Sequence, residues 1–578
     1  MTNETPGTKG RSNAKKAPGS SSRIPSALSL LFVFTALLAL LRMAWMVLTG
    51  SSLQYADYWR TVEYLYEPGG SLNLEGLFHF SNHHFIASAQ LLYWLNIKFF
   101  AGSNIALGLI DIAIVLVMLA LLALIIRRSS FNREFGVVLF GLAGVLFFSL
   151  SGAWNFTRAM SGAAWLSANL FVVATIYFRS RDKHVYTTLA AIGATMSYGT
   201  GLFAWPVAVV VGAIHRPMSQ WLKEWPYAIG FIVSFLVVRS LSNNEGDTST
   251  SDPILIAQLA ANFLGSSLGL PGLLAALAGW TALLLTPLVA ALLILWLRPV
   301  RDAAWVAIGL YGWAAVITIT QGRGIFMAAF DYPSRYYSLA AMTWLGLTAM
   351  LLVLFRSIPR QRGNGRFEAA LTYALLIALM AASASAGKNV MAVRNSHVFE
   401  QELKEIALHL NVVDGEIGYL EDFTNNKKPF STTRAMKLSG HYPFVDNWNR
   451  DCGLLGEVLP EFASPRKGGR LCKVAPAKGL SAVNRIAGIM PDATQFAPGS
   501  AMNCIVIADA NNKVIGAGTV QSTWDGKRTS RFFALAHDSV GEYRAYVFDG
   551  SATPIAVGSL DKHKPCNGTR KKDPGARP

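Results

Sequence analysis

Apolar runs, most of them long enough to cross a bilayer, recur over the first two thirds of the chain, separated by polar stretches. The first, Ile24–Leu48, is longer than a signal-peptide core and has no convincing cleavage site, so it predicts a helix that stays in the membrane. Ten more follow: Asn104–Ile126, Glu134–Gly152, Gly162–Phe178, Val185–Met196, Gly201–Ile214, Pro226–Leu241, Leu273–Leu297, Ala303–Thr320, Tyr336–Phe355 and Phe367–Ser385. Eleven spans put the two ends of the membrane region on opposite sides. Val185–Met196 and Gly201–Ile214 are short for an upright crossing, and Ser197-Tyr198-Gly199-Thr200-Gly201 lies between them. The pair reads equally as broken helices bordering a wet cavity or as a tight helical hairpin.

After Gly387 the period changes. Asn389–Leu410 predicts a helix with its charges on one face, and alternating segments follow at Cys504–Ala508, Val514–Val520, Arg531–Ala536 and Tyr543–Asp549. Turn signals at Asn511-Asn512, Asp525-Gly526 and Asp549-Gly550 separate them, which predicts a small β-rich α+β domain. The chain thus divides into a polar tail (1–23), a multi-span membrane domain (24–387) with a large first loop (49–103), a second domain (388–566) and a basic tail (567–578). Both tails are too polar to bury a core and are expected to be disordered.

Composition agrees: 52% of residues are hydrophobic and 15% charged, as in membrane proteins. The net charge of +17 suggests nucleic acid only if the Lys and Arg residues cluster on one soluble face, and here they lie between apolar runs. With the N-terminus inside, the inner segments hold 19 Lys and Arg, whereas the outer loops hold only Arg60, Lys98, Arg158, Arg323 and Arg335 before the second domain. This positive-inside bias predicts an extracytoplasmic C-terminal domain. Its four cysteines, Cys452, Cys472, Cys504 and Cys566, have no CxxC spacing and predict two disulfides of open pairing, in agreement with that side of the membrane. In the outer loop 242–272, Asn243-Asn244-Glu245-Gly246-Asp247 precedes Pro253–Leu264, an expected amphipathic helix on the outer surface. There is no Walker loop, GxGxxG or HExxH to support ATP-driven transport or zinc proteolysis.

The first loop concentrates the candidate chemistry. Asp57 stands close after the first span in Tyr55-Ala56-Asp57-Tyr58-Trp59, with Glu63, Glu67 and Glu75 further on. Asn82-His83-His84 opens an apolar run expected to lie along the interface. A carboxylate there can take a proton from an attacking hydroxyl or hold a metal, and a histidine can orient a hydroxyl or meet a phosphate. Capping of local helices by Asp57 and Asn82 is the plainer alternative. Arg158, Arg323 and Arg335 sit outside against the charge bias. Guanidinium forks suit phosphate oxygens, although Asp331 or headgroups are alternative partners. Arg42 and Asp111 lie at matching depth on consecutive spans, which predicts a structural ion pair.

A long first loop with an early Asp, followed by an interfacial helix, resembles GT-C type integral membrane glycosyltransferases, and the Ser334-Arg335-Tyr336-Tyr337 run is similar to one in related bacterial proteins. The resemblance covers the membrane region. It implies transfer of a sugar from a polyprenyl-phosphate donor to an envelope glycan, lipid or protein on the outer face of a bacterial cytoplasmic membrane. It assigns catalysis to Asp57, His83 and His84, and substrate contacts to Tyr58, Trp59, Arg158, Tyr198, Arg323, Arg335 and Tyr336. No second acid adjoins Asp57, so the use of a divalent metal is left open. A flippase for lipid-linked saccharide and a membrane-anchored glycan-binding or sensory protein are the alternatives; no nucleic-acid partner is expected.

Overall fold

The structure, a computed structural model, describes residues 27–54, 57–241 (except 68, 79, 82 and 83), 249–329, 334–357, 374, 376–384, 390–410, 435–445, 452–460, 469–476, 483–491, 503–522 and 528–561 (except 540 and 550–553). The two tails, Asn243–Asp247, Asp331, Asp525-Gly526 and Cys566 lie outside these residues.

The apolar runs become a helical bundle. In order the helices are α1 (Ala27–Leu48), α2 (Asp57–Glu63), α3 (Ala87–Phe100), α4 (Asn104–Ile126), α5 (Arg133–Phe147), α6 (Trp154–Thr157), α7 (Ala159–Arg179), α8 (His184–Thr195), α9 (Ala204–His215) and α10 (Trp225–Leu241). They continue with α11 (Pro253–Ser266), α12 (Gly272–Leu292), α13 (Ala303–Gly322), α14 (Gly324–Ala329), α15 (Tyr337–Ser357) and α16 (Val390–His409). Side-chain caps start several of them: Asn132 Oδ1 accepts from the Phe135 amide at 2.8 Å, and Asp252 Oδ1 from that of Ile254 at 2.9 Å, with Pro253 beginning α11.

Among the described residues, seven helices are long and apolar enough to cross a membrane, or eight if α5 and the stretch Leu150–Thr157, bent by 42°, form one span. Of the eleven or so expected spans, these seven are borne out. Two of the others are the 12-residue helices α8 and α9, joined by a 3₁₀ stretch at Gly199–Phe203. The last, Phe367–Ser385, is described only in part. The expected amphipathic helix forms as α11, with its apolar face packed inward. Leu259, Ala260, Ala261, Phe263 and Leu264 of α11 are buried in the bundle core, because Gly265 and Gly279 let α11 and α12 approach until a Cβ at either would strike the other helix's backbone. Small residues also join the two innermost helices: Gly309 of α13 meets Gly346 of α15 backbone to backbone.

The bundle has an upper end, where α4, α7 and α15 begin, and a lower end, where α7 and α9 finish. At the lower end the Arg179 guanidinium, wholly buried, donates to both Glu224 oxygens at 2.8 Å and to Asp182 at 2.6 Å, and Arg216 Nε reaches Glu224 at 3.1 Å. Arg298, at φ 44°, donates to the Ala213 carbonyl at 2.6 Å and to that of Arg216.

The C-terminal region is an antiparallel, barrel-like sheet. Its strands are β3 (Arg470–Pro476), β4 (Val483–Ile489), β5 (Asn503–Ala508), β6 (Val514–Ser522), β7 (Arg528–His537), β8 (Glu542–Asp549) and β9 (Ile555–Asp561), following the short pair β1 (Phe80–Ser81) and β2 (His84–Phe85) in the first loop. The spatial order is β3-β4-β7-β6-β5-β8-β9. The edges draw together where Gly558 lies 2.9 Å, by its would-be Cβ, from the Arg470 backbone. Four strands fall where the alternation predicts them; β3, β4 and β9 were not foreseen. Cys452 and Cys504 form a disulfide and Cys472 is disulfide-bonded as well. Helix α16 joins the two regions: Ile406, Ala407 and Leu410 pack on Val483, Ala517 and Leu535 of the sheet, while the Ser51 hydroxyl donates to Glu405 at 3.2 Å.

Candidate substrate site

The first loop folds back on itself around an aromatic cluster. Tyr58 and Trp59 project from α2 into it, 0% and 6% exposed, and Tyr58 meets Tyr93 of α3 edge-on with centroids 5.4 Å apart. The fourth member, His441, comes from beyond the bundle. The Tyr442 amide donates to the Ala101 carbonyl at 2.7 Å, and Gly102, at φ 71°, leaves the space that a Cβ would take from the imidazole. His441 Nδ1 lies 2.7 Å from the Tyr442 carbonyl, which can only accept, so Nδ1 carries the proton. Nε2 is then the acceptor for the Tyr58 hydroxyl at 3.3 Å. Burial, opposed by the bond to Tyr442, lowers the His441 pKa to about 4 and keeps the ring neutral. Trp59 Nε1 donates to the Gln54 carbonyl at 3.1 Å. The polar atoms of Tyr58 and Trp59, two expected substrate contacts, thus have partners within this cluster. The side chains of Asp57 and His84, and all of His83, lie outside the described part, although Asp57 begins α2 and His84 pairs with Ser81 across β1 and β2.

Beside this cluster, three distant stretches converge. The helix breaks at Arg158 (φ −118°, ψ 64°), between α6 and α7, and places its guanidinium 3.5 Å from the centre of the Trp154 ring. The Trp154 amide donates to the Ser334 hydroxyl at 3.1 Å, which sets the next residue, Arg335, near the same joint. Arg335 Nη2 donates to the Tyr336 hydroxyl at 3.1 Å. Tyr336 is buried edge-on to Trp165 at 4.8 Å, and Trp165 lies 3.7 Å from Tyr198, ring centre to ring centre. Tyr198 is extended (φ −166°, ψ 163°) before the Gly199–Phe203 turn and packs against both the aromatic cluster and the bundle core. Arg158, Tyr198, Arg335 and Tyr336 therefore belong to one neighbourhood. Arg323 shares none of these contacts; it follows α13 beside α14, where the Thr250 amide donates to Gln321.

Two further groups escaped the sequence reading. Lys404 on α16 is 4% exposed, and its pKa falls to about 8, chiefly through burial and further through Arg158, with Glu400 opposing. Asn155 lines a small polar cavity with Ser149, Ser151, Ser267, Tyr337 and Ser338. The cavity has room for about one water molecule, and the buried Asn155 Oδ1 and Ser338 Oγ have no hydrogen-bond partner. No signal in the sequence marks these positions, because each becomes special only through a neighbour far away in the chain.

The predicted Arg42–Asp111 ion pair does not form. Asp111 is 0% exposed and neither of its carboxylate oxygens has a hydrogen-bond partner, while Arg42 Nε is likewise buried and unbonded. Helix α1 lies mainly along α5, whereas Asp111 faces the α6–α7 joint at Gly162, so matching depth did not mean matching direction. Among the described residues no three His, Cys, Asp or Glu side chains stand close enough to share a metal ion.

Chemically, the joint offers guanidinium forks beside aromatic faces, with hydroxyl groups in a cavity next to them. That combination suits a phosphate or other oxyanion carrying a saccharide or an isoprenoid chain. Compared with known proteins, the chain matches no family model, no curated protein and no solved structure.

Proposed function

We propose that the protein is a membrane glycosyltransferase acting on a polyprenyl-phosphate sugar at the outer face of a bacterial cytoplasmic membrane. The observation that carries this reading is the convergence of Arg158 and Arg335 at the α6–α7 joint, through the Trp154–Ser334 bond, beside the stacked Tyr336, Trp165 and Tyr198. In this reading the upper end of the bundle faces outward, as the charge bias expects. The acceptor, an envelope glycan, lipid or protein, presents a hydroxyl to the anomeric carbon. Its oxygen forms the new glycosidic bond while the bond from that carbon to the phosphate oxygen breaks, with inversion. Asp57 takes the hydroxyl proton, and the arginines hold the charge that builds on the leaving polyprenyl phosphate. The C-terminal sheet, tied to the first loop by α16, offers a surface for the acceptor.

The test is transfer of labelled sugar from a pool of polyprenyl-phosphate donors in membranes carrying wild type or Asp57→Ala, matched for folded protein. Transfer by wild type that is lost in the variant supports the proposal. A second reading, a flippase for lipid-linked saccharide, is favoured by the irregular Gly199–Phe203 turn between the short helices α8 and α9. Movement of labelled lipid across the bilayer without any transfer replaces the first reading with this one.

A further inference from the structure

The unpaired Asp111 is explained by what it faces. In a continuous helix the Asn155 carbonyl would accept from the amide of Ala159, four residues on. The break at Arg158 diverts that amide to Asn104 Oδ1, at 3.1 Å. Asn104 is fully engaged there, since its Nδ2 donates to the Thr157 carbonyl at 2.9 Å and the Ser51 carbonyl at 3.1 Å. The Asn155 carbonyl is thus left without its helical donor, and it closes on the same point as Asp111 Oδ2: a Cβ at Gly162 would strike both oxygens. Glycine at 162 makes this approach feasible. Two acceptors face each other in a site closed to solvent, and an isolated carboxylate there costs several kcal/mol.

We propose that Asp111 is a proton-binding site: it is held as a neutral carboxylic acid whose O–H donates to the Asn155 carbonyl and so fixes the α6–α7 joint that presents Arg158. One proton supplies the missing donor and removes the buried charge together. The charged groups on the helices packed against α4 are Arg42 on α1, Lys98 on α3, Arg133 and Glu134 at the start of α5, Arg158 before α7 and Arg179 at its end. Asp111 makes no hydrogen bond to any of them. Arg133, Glu134 and Arg179 stand at the lower end, whereas Asp111 is seven residues from the upper end of α4. The proposal does not depend on the glycosyltransferase reading, because it concerns how the joint is held and not what binds there.

The test is infrared spectroscopy of the full-length protein in lipid nanodiscs, comparing wild type with Asp111→Asn. Wild type should show the C=O stretch of a protonated carboxyl at neutral pH, shifted in D₂O and absent from the variant. Asp111→Asn supplies an N–H donor in place of the acid O–H, so it should fold with a melting temperature close to that of wild type. Asp111→Leu, which supplies none, should lower the melting temperature. Absence of the protonated band overturns the proposal. So does a band that persists in Asp111→Asn, or an Asp111→Leu variant as stable as wild type. A carboxylate band that responds to replacing Na⁺ by choline would assign a metal cation to the site and overturn the proton in the same experiment.

Discussion

The two ends of the bundle treat buried charge in different ways. At the lower end the buried charge is matched: Arg179 donates to Glu224 and Asp182, Arg216 joins Glu224, and Asp302 accepts from the amide and hydroxyl of Ser130 at 3.0 and 2.6 Å. At the upper end Asp111, Asn155 Oδ1, Ser338 Oγ and the Gln401 amide are buried without hydrogen bonds. Unsatisfied groups cost stability, and at the upper end they lie next to arginines and stacked rings. The lower end is a staple. In the proposed function, the upper end is where the substrate binds.

Breaking the staple gives the largest expected effect. Glu224→Ala leaves the Arg179 guanidinium, which has no exposed surface, without its main counter-charge and should cost about 3–5 kcal/mol. Thermal unfolding in nanodiscs reads this as a clear fall in melting temperature, and an unchanged value would remove the distinction between the ends.

The upper end should respond instead in function. Arg158→Gln is expected to reduce sugar transfer by roughly 10²–10³-fold, the usual cost of removing a group that stabilises transition-state charge, at little cost in melting temperature. A melting temperature that falls as far as for Glu224→Ala would make Arg158 part of a second staple.

A smaller effect comes from pH. The His441 pKa is about 4 in the fold, below its ordinary value, so the unfolded chain binds the proton first as pH falls. The stability this buried neutral ring contributes is complete above about pH 6.5 and is lost progressively down to about pH 4, to the extent of roughly 3 kcal/mol. His441→Gln should flatten that part of the stability profile, and a wild-type profile already flat between these values contradicts the assignment. The smallest effect is that of Tyr58→Phe, which removes the donor to His441 Nε2 and should cost about 1 kcal/mol.

These contrasts also show what a sequence reveals and what it hides. Length and apolarity are local, so the apolar segments were legible, and among the described residues seven helices are long enough to cross a membrane. The direction in which a helix faces is not local. Arg42 and Asp111 were matched by depth, yet neighbouring helices turn them apart, and nothing in the α11 segment announced that its apolar stripe packs on α12. Strands β5 to β8 announce themselves by alternation. In β4, by contrast, Asn484 takes a buried place, donating to Tyr543 at 2.6 Å and Asp538 at 2.8 Å, which hides the pattern. Arg158, Tyr198, Arg335 and Tyr336 were singled out one at a time, and only folding showed that they are neighbours. His441 and Lys404 could not be found in advance, because each reaches the upper end from beyond the membrane-spanning part of the chain.

The most direct test of the central claim sets charge at one end against charge at the other. Sugar transfer from polyprenyl-phosphate donors would be measured for wild type, Arg158→Gln, Arg335→Gln and Arg181→Gln, each normalised to folded protein. Arg181, at the lower end, donates to the Tyr177 hydroxyl at 2.6 Å and serves as the control. The account predicts that both upper-end variants lose most of the transfer while Arg181→Gln retains it. Equal losses in all three, or no transfer by wild type from any donor, would contradict it.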